Sequence, residues 1–342
     1  MHPKAQSLIQ CPKCKCDLSF ELIKGEMRYV EYGEFVCSSC LTVYPVEQDI
    51  IYFAKSPDRS AAQSQRETYS YWWDESHDGL KYNTERNSEI FKETIKIDDK
   101  QIKGSIVLDA GCGNGRFSSI VAKKKPELLV LFDLSHGITE AYKEALTHSQ
   151  DVIAIQGDIV NSPFKNEVFD NVYSWGVLHH TGETRKAFHH VSSLVKKKGN
   201  FGVYVYENHP VYQYDNIFLR LISILRELLL IRPLRFVSQF LSPKNVIRIF
   251  RPIFYLERLF NIGVVGCHGG VDNKFDKNHY FRVVIDRFKS RYATEHSVEE
   301  VVRWFIDEGY GRIEVGEGVK VCLTGKKLEA PEAIVSVYIN KK

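Results

Sequence analysis

Apolar and polar positions change rhythm several times along this chain. Between residues 105 and 206, short runs rich in Val, Ile, Leu and Phe lie near 105–109, 128–133, 152–155, 169–174 and 201–206. The stretches between them, near 115–124, 137–148 and 183–195, carry apolar residues at helical spacing. Strands alternating with helices predict an α/β fold, a parallel sheet with helices on both faces. Farther on, Ser297 and Glu300 make a capping-box pattern ahead of a helix over 298–308, and Gly309-Tyr310-Gly311 ends it. Residues 312–315 and 319–326 then read as two more strands, which makes seven, and 334–339 is a further candidate in the tail.

The flanking stretches have other patterns. Residues 18–23, 28–32, 34–36 and 42–46 alternate like short strands, and 54–64 shifts to Ser, Ala, Pro and Gln, the composition of a linker. Next comes an aromatic group, Tyr69, Tyr71, Trp72 and Trp73, and a predicted helix over 84–96; the tryptophans are read equally as packing residues or as a cover for a cleft. After the fifth strand, residues 207–289 form an insertion. Its part from 216 to 263 is rich in Leu, Ile and Phe and holds eight Lys and Arg residues against only Glu227 and Glu257. Pro233, Pro243 and Pro252 are expected to cut it into short helices. A cap over a pocket is the simplest reading; lipid contact and RNA contact are the others.

Composition narrows the class. The chain has 342 residues, a net charge of +3 and 44% hydrophobic residues, ordinary for a globular protein and no signature of a polyanion binder. Met1–Gln10 lacks an apolar signal core and no run of eighteen apolar residues occurs, so a cytoplasmic location without a transmembrane segment is expected. Five of eight cysteines crowd the first forty residues. Cys11-x-x-Cys14 and Cys37-x-x-Cys40 supply two thiol pairs at the spacing of a tetrahedral Zn²⁺ site, a better reading than disulfides in a chain with no signal segment. Cys16 is left as a bystander. Residues 1–54 therefore read as a zinc ribbon whose metal is structural, because four thiolates leave no open position.

The chemistry concentrates where the first central strand ends: Asp109-Ala-Gly111-Cys-Gly113-Asn-Gly115. Glycines at alternate positions let a ligand approach the main chain. Two further acids, Asp133 and Asp158, come after the second and third strands, and ligands in such sheets sit at the carboxyl ends of the strands. A nicotinamide domain would show G-x-G-x-x-G instead. The D-x-G-x-G-x-G spacing resembles the class I S-adenosylmethionine-dependent methyltransferases, which have a Rossmann-like seven-stranded sheet. That resemblance covers 104–206 and 290–327, and it implies cofactor contacts from Asp109, Gly111, Gly113 and Gly115, from Asp133 with Leu134, and from Asp158 with Ile159. The stretch Phe169-Asp-Asn-Val-Tyr-Ser-Trp175-Gly-Val-Leu-His179-His180 resembles the family's fourth-strand motif. It puts Trp175 by the cofactor and His179 or His180 near the acceptor, as a base or as packing residues. Residues 8–53 resemble the zinc-ribbon activators of RNA methyltransferases. The resemblance implies methyl transfer, and no motif names the acceptor; the leading reading is a small-molecule or lipid-like acceptor methylated at oxygen, carbon or nitrogen, in a pocket shaped by the basic apolar insertion. An RNA base is the alternative, peripheral membrane contact through 216–263 stays open, and a non-catalytic cofactor-binding scaffold is the third reading. Residues 55–103 would lie over the cofactor cleft and 328–342 form a tail.

Overall fold

The computed structural model describes residues 2–53, 60–75, 84–207, 217–260, 277–316, 321–329 and 336–338. Its centre is a run of five parallel strands, β5 to β9, once the ribbon strands are counted first. β1 (Leu18–Glu26), β2 (Tyr29–Cys37), β3 (Val43–Glu47) and β4 (Ile50–Tyr52) precede β5 (Ile106–Ala110), β6 (Leu128–Asp133), β7 (Val152–Gln156), β8 (Phe169–Trp175) and β9 (Val195–Tyr204). β10 (Tyr310–Val315) and β11 (Cys322–Lys327) close the fold antiparallel to one another, with β11 antiparallel to β9, and β12 (Ser336–Tyr338) lies parallel to β10.

The expected seven-stranded sheet is a twelve-stranded one, in the order β1-β2-β3-β4-β7-β6-β5-β8-β9-β11-β10-β12. The extra strands have a physical reason: β7 would otherwise be an open edge of unpaired backbone groups. Residues Ile50–Tyr52 pair with it in parallel register, Ile51 opposite Ile155, and so join the ribbon to the central sheet. Gln10 N–H donates to Pro163 O at 2.6 Å and Lys165 N–H to Leu8 O at 2.9 Å, a second seam between them.

Strand periodicity divides the central strands between two cores. Leu108, Val130, Ile153 and Val172 face one, which also takes Phe35, Val46 and Ile51 from the ribbon and Phe188, Trp304 and Phe305 from helices. Val107, Leu129, Leu131 and Ala154 face the other, with Phe91, Ile120 and Ile138.

The insertion builds a third core of its own, from Ile231, Val246, Phe250, Phe254, Tyr280 and Phe288 among others. Here the proline expectation is corrected. Pro243 starts a helix, but Pro252 lies inside that same helix, Pro243–Phe260, and does not end it. Val246, Phe250 and Phe254, all buried on one side, hold the helix across the missing N–H, while Pro252 faces outward. Pro233 sits at the start of the helix Arg232–Gln239, reached from Ile217–Arg226 through a π-helical turn, Glu227–Ile231. The helix Ser60–Glu75 begins inside the stretch read as linker, with Gln65, Thr68 and Ser70 buried. The side chains of Trp72 and Trp73 lie outside the described set. No described helix is long and apolar enough to cross a membrane.

Candidate functional site

The carboxyl ends of β5, β6 and β7 bring the glycine turn and the three acids together. Gly111 has φ +93° and Gly115 φ +92°, conformations an L side chain resists. A Cβ on Gly111 would also come within 2.3 Å of Val177, so glycine is required there for space as well as angle. Asp133, at the end of β6, accepts the Gly113 N–H at 2.7 Å on one oxygen. Its other oxygen accepts the Ser135 N–H at 2.7 Å and hydroxyl at 2.6 Å. A carboxylate offers about four acceptor positions, so Asp133 keeps capacity for a hydroxyl-bearing ligand. Burial pushes its pKa up, against these donors.

Asp109 is differently placed. It is 4% exposed and accepts from Ser118 Oγ at 2.6 Å and Tyr173 OH at 2.7 Å, tying β5 to the next helix and to β8. Burial raises its pKa to about 7, with the two hydroxyls working in the opposite direction. Asp158 caps the short turn Ile159–Asn161 by accepting the Val160 N–H at 3.0 Å, and Ile159 is buried. Gln156 donates to the carbonyls of Leu134 and Ser135 at 3.2 and 3.0 Å and fixes the loop after β6. The helix Ser60–Glu75 meets that loop, since His136 N–H donates to Ser70 Oγ at 3.1 Å. At the end of β8, the Trp175 ring packs on Phe117 and Tyr204, and its buried indole N–H has no partner among the described residues.

Beyond β8 lies a buried cluster of rings. His179 is fully buried, stacked on Tyr206 with centroids 3.8 Å apart, and neither of its ring nitrogens has a partner among the described residues. Burial, and then His180 beside it, hold its pKa well below the ordinary value, so the ring is neutral. His180 is committed: Nδ1 lies 2.9 Å from Tyr292 O and 3.0 Å from Ser290 Oγ, and Nε2 lies 3.3 Å from Asp286. Asp286 also accepts from the Tyr206 hydroxyl and, at 3.5 Å, from Tyr69. Burial and then Asp286 push the Tyr206 phenol well up, which keeps it a donor.

In the ribbon, Cys11, Cys14, Cys37 and Cys40 bring their sulfurs within 4.8 Å of one another. The Cys11–Cys40 and Cys14–Cys37 pairs are 3.6 and 3.3 Å apart, close to the ~3.8 Å between sulfurs of a tetrahedral site with 2.3 Å bonds. This donor set can hold a metal ion; Cys16 turns instead to the Cys14 carbonyl, at 3.7 Å.

A family model described as a methyltransferase domain matches residues 107–199. Three curated relatives match this chain over different lengths. A tRNA (carboxymethyluridine(34)-5-O)-methyltransferase of Saccharomyces cerevisiae is 33% identical over 105 residues, 30% of this chain and 35% of that one. A malonyl-[acyl-carrier protein] O-methyltransferase of Herminiimonas arsenicoxydans is 37% identical over 78 residues, 22% and 28% of the two chains. A sterol 24-C-methyltransferase of Gibberella zeae is 24% identical over 166 residues, 46% and 43%. The chain thus spans 28% to 43% of the lengths of these relatives.

Gly111, Gly113, Gly115, Asp133 and Leu134 lie at the carboxyl ends of β5 and β6, Asp158 and Ile159 follow β7, and Trp175 ends β8. Sequence reasoning missed Tyr206, Asp286 and Ser290 as neighbours of His179 and His180. For Tyr206 a signal existed: it lies two residues after Tyr204, the last residue of β9, and the period of an extended chain puts both on one face. For Asp286 none did, because only the fold brings it to the domain. His189 and His190 bond to Glu308 at 2.8 Å and Ser162 at 2.8 Å.

Proposed function

We propose that this protein is an S-adenosylmethionine-dependent methyltransferase whose acceptor is a small or lipid-like molecule. The observation that carries the reading is the Asp133 carboxylate, partly buried at the end of β6, bonded to the glycine turn and still able to accept hydroxyl donors. Bound there, S-adenosylmethionine would supply an electrophilic methyl group on a sulfonium sulfur. Gly111, Gly113 and Gly115 would lie along its main part, Asp133 with Leu134 would take the ribose, and Asp158 with Ile159 and Trp175 would border the adenine. Asp109, already satisfied by Ser118 and Tyr173, would act by holding the turn in shape.

On the acceptor side, methyl transfer needs alignment and exclusion of water, plus a base where the acceptor begins protonated. His179, neutral and with both nitrogens unpartnered, would take that proton. His180, held by Asp286 and Tyr292, would position it. The closure of this cluster by Asp286 from the insertion supports the insertion as a cap, and an enclosed site suits a small acceptor. The four-cysteine cluster would carry a structural Zn²⁺. A tRNA acceptor is the second reading, favoured by the yeast relative; strongly salt-dependent binding of bulk RNA would support it.

The test is titration calorimetry with S-adenosylhomocysteine beside metal analysis of the same sample. Micromolar binding with one zinc per chain supports both assignments. Absence of binding in zinc-loaded protein overturns the methyltransferase reading.

A further inference from the structure

The insertion leaves a large part of its surface apolar. Along the helical run 217–239 and the residue after it, Phe218, Leu225, Leu229, Phe236 and Phe240 recur at helical spacing and face outward, Leu229 being 73% and Phe240 75% exposed. They lie away from the side that buries Ile231 and Ser238. The next helix, Pro243–Phe260, is divided three ways. Val246, Phe250 and Phe254 go into the third core. Lys244, Arg248, Arg251 and Arg258, spaced four, three and seven apart, make an exposed cationic row, and none of the four is in an ion pair among the described residues. Leu256 and Leu259 lie beside that row, Leu259 being 74% exposed.

The acids of this region do not balance those cations. Glu257 is buried, and Glu227 is within 3.7 Å of Arg287. The outer face therefore presents aliphatic and aromatic side chains next to unpaired positive charge. Exposed apolar patches of this extent mark interaction surfaces, and three occupants can be compared by chemistry. RNA would meet the cations but leave the aliphatic residues in water. A second copy of the chain would cover the apolar residues but bring this cationic face against one that offers no exposed acid. An anionic bilayer satisfies both, with apolar side chains entering the headgroup boundary and Lys and Arg at the phosphates.

We propose that the 217–260 face seats the protein on the surface of an anionic lipid bilayer. Vesicle binding by this face is independent of the reaction assigned above and of cofactor binding. Each cation near the surface contributes about 1 kcal/mol, so the triple variant Arg248→Gln/Arg251→Gln/Arg258→Gln should bind about 100-fold more weakly. Phe236→Ser/Phe240→Ser should also release the protein, through the apolar contribution. Both variants change exposed side chains, and an unchanged melting temperature verifies their folding.

The experiment is co-sedimentation of the full chain with vesicles of phosphatidylcholine alone or mixed with phosphatidylglycerol, at low and high salt, beside light scattering and a bulk-RNA competition. Retention on the mixed vesicles only, weakened by salt and by both variants, supports the proposal. Equal behaviour on the two vesicles, a stable dimer that does not bind them, or displacement onto RNA overturns it.

Discussion

The two ends of the site are put together in opposite ways. The glycine-turn end draws its parts from residues 109–159, where three consecutive strands deliver an acid or a turn at the same sheet edge. The ring-cluster end draws on Tyr69, His179, His180, Tyr206, Asp286 and Ser290, from four separate parts of the chain. Local assembly suits a ligand common to many proteins, because backbone N–H groups and one carboxylate recognise what never changes. Distant assembly lets an insertion vary the other half of the pocket while the first is left intact. The contrast predicts that substitutions at one end alter cofactor affinity and those at the other alter turnover.

The largest effect is expected from Asp133→Ala. Hydrogen bonds to a charged group contribute about 1.5–3 kcal/mol each, so losing two ribose contacts should weaken S-adenosylhomocysteine binding by a factor on the order of 10² to 10⁴. The Gly113 and Ser135 donors would also lose their acceptor. Titration of the variant decides the matter: affinity within a few-fold of the parent would remove Asp133 from the cofactor site.

How much of this was legible in the sequence tracks the same division. Asp133, Asp158 and the turn glycines could be read because strand ends and positive-φ positions leave local signatures. The five parallel strands and the four-cysteine cluster were legible for the same reason. Ile50–Tyr52 could be seen as a short apolar run, but its pairing with β7 is a tertiary event that covers an edge. Asp286 was hidden because its partners His180 and Tyr69 are 106 and 217 residues away. Pro252 misled because packing by Phe250 and Phe254 outweighs its local breaking tendency. Ser297 does cap its helix through the Glu300 N–H, yet the Glu300 carboxylate turns to His296 at 3.0 Å, so only half of the capping box forms.

A smaller, pH-dependent effect tests whether Asp109 belongs with its neighbours as a ligand contact or as a structural tie. Its pKa is about 7 in the folded protein, against about 3.9 in an unfolded chain. Over that window the folded state holds a proton the unfolded state has lost, so this group's stability is fully present below about pH 4 and is lost as pH rises through 7. Between pH 5 and 8 the loss is on the order of 3 kcal/mol, at 1.36 kcal/mol per pH unit below the folded pKa. Asp109→Asn removes the titration while keeping an acceptor for Ser118 and Tyr173. Urea unfolding of parent and variant at the two pH values should give a difference that grows toward acid in the parent's favour. Parallel curves would mean that Asp109 is ionised in the folded state and free to serve the ligand.

The smallest effect on affinity, and the sharpest on the contrast, is expected from Asp286. In Asp286→Ala, the Tyr206 hydroxyl and His180 Nε2 lose a buried partner, which should cost about 2–3 kcal/mol of stability. Asp286→Asn leaves an acceptor for Tyr206 but removes the charge facing His180, so it should regain most of the stability and little of the turnover. Cofactor affinity should stay within a few-fold of the parent in both variants, because no part of the glycine-turn end touches this carboxylate. Melting, S-adenosylhomocysteine titration and turnover on an accepted substrate separate these quantities. If Asp286→Asn restores turnover together with stability, the carboxylate is a packing element and the imidazole it faces is positioned by Ser290 and Tyr292 alone. If cofactor affinity falls as steeply as turnover, the two ends of the site are coupled and the division drawn between them fails.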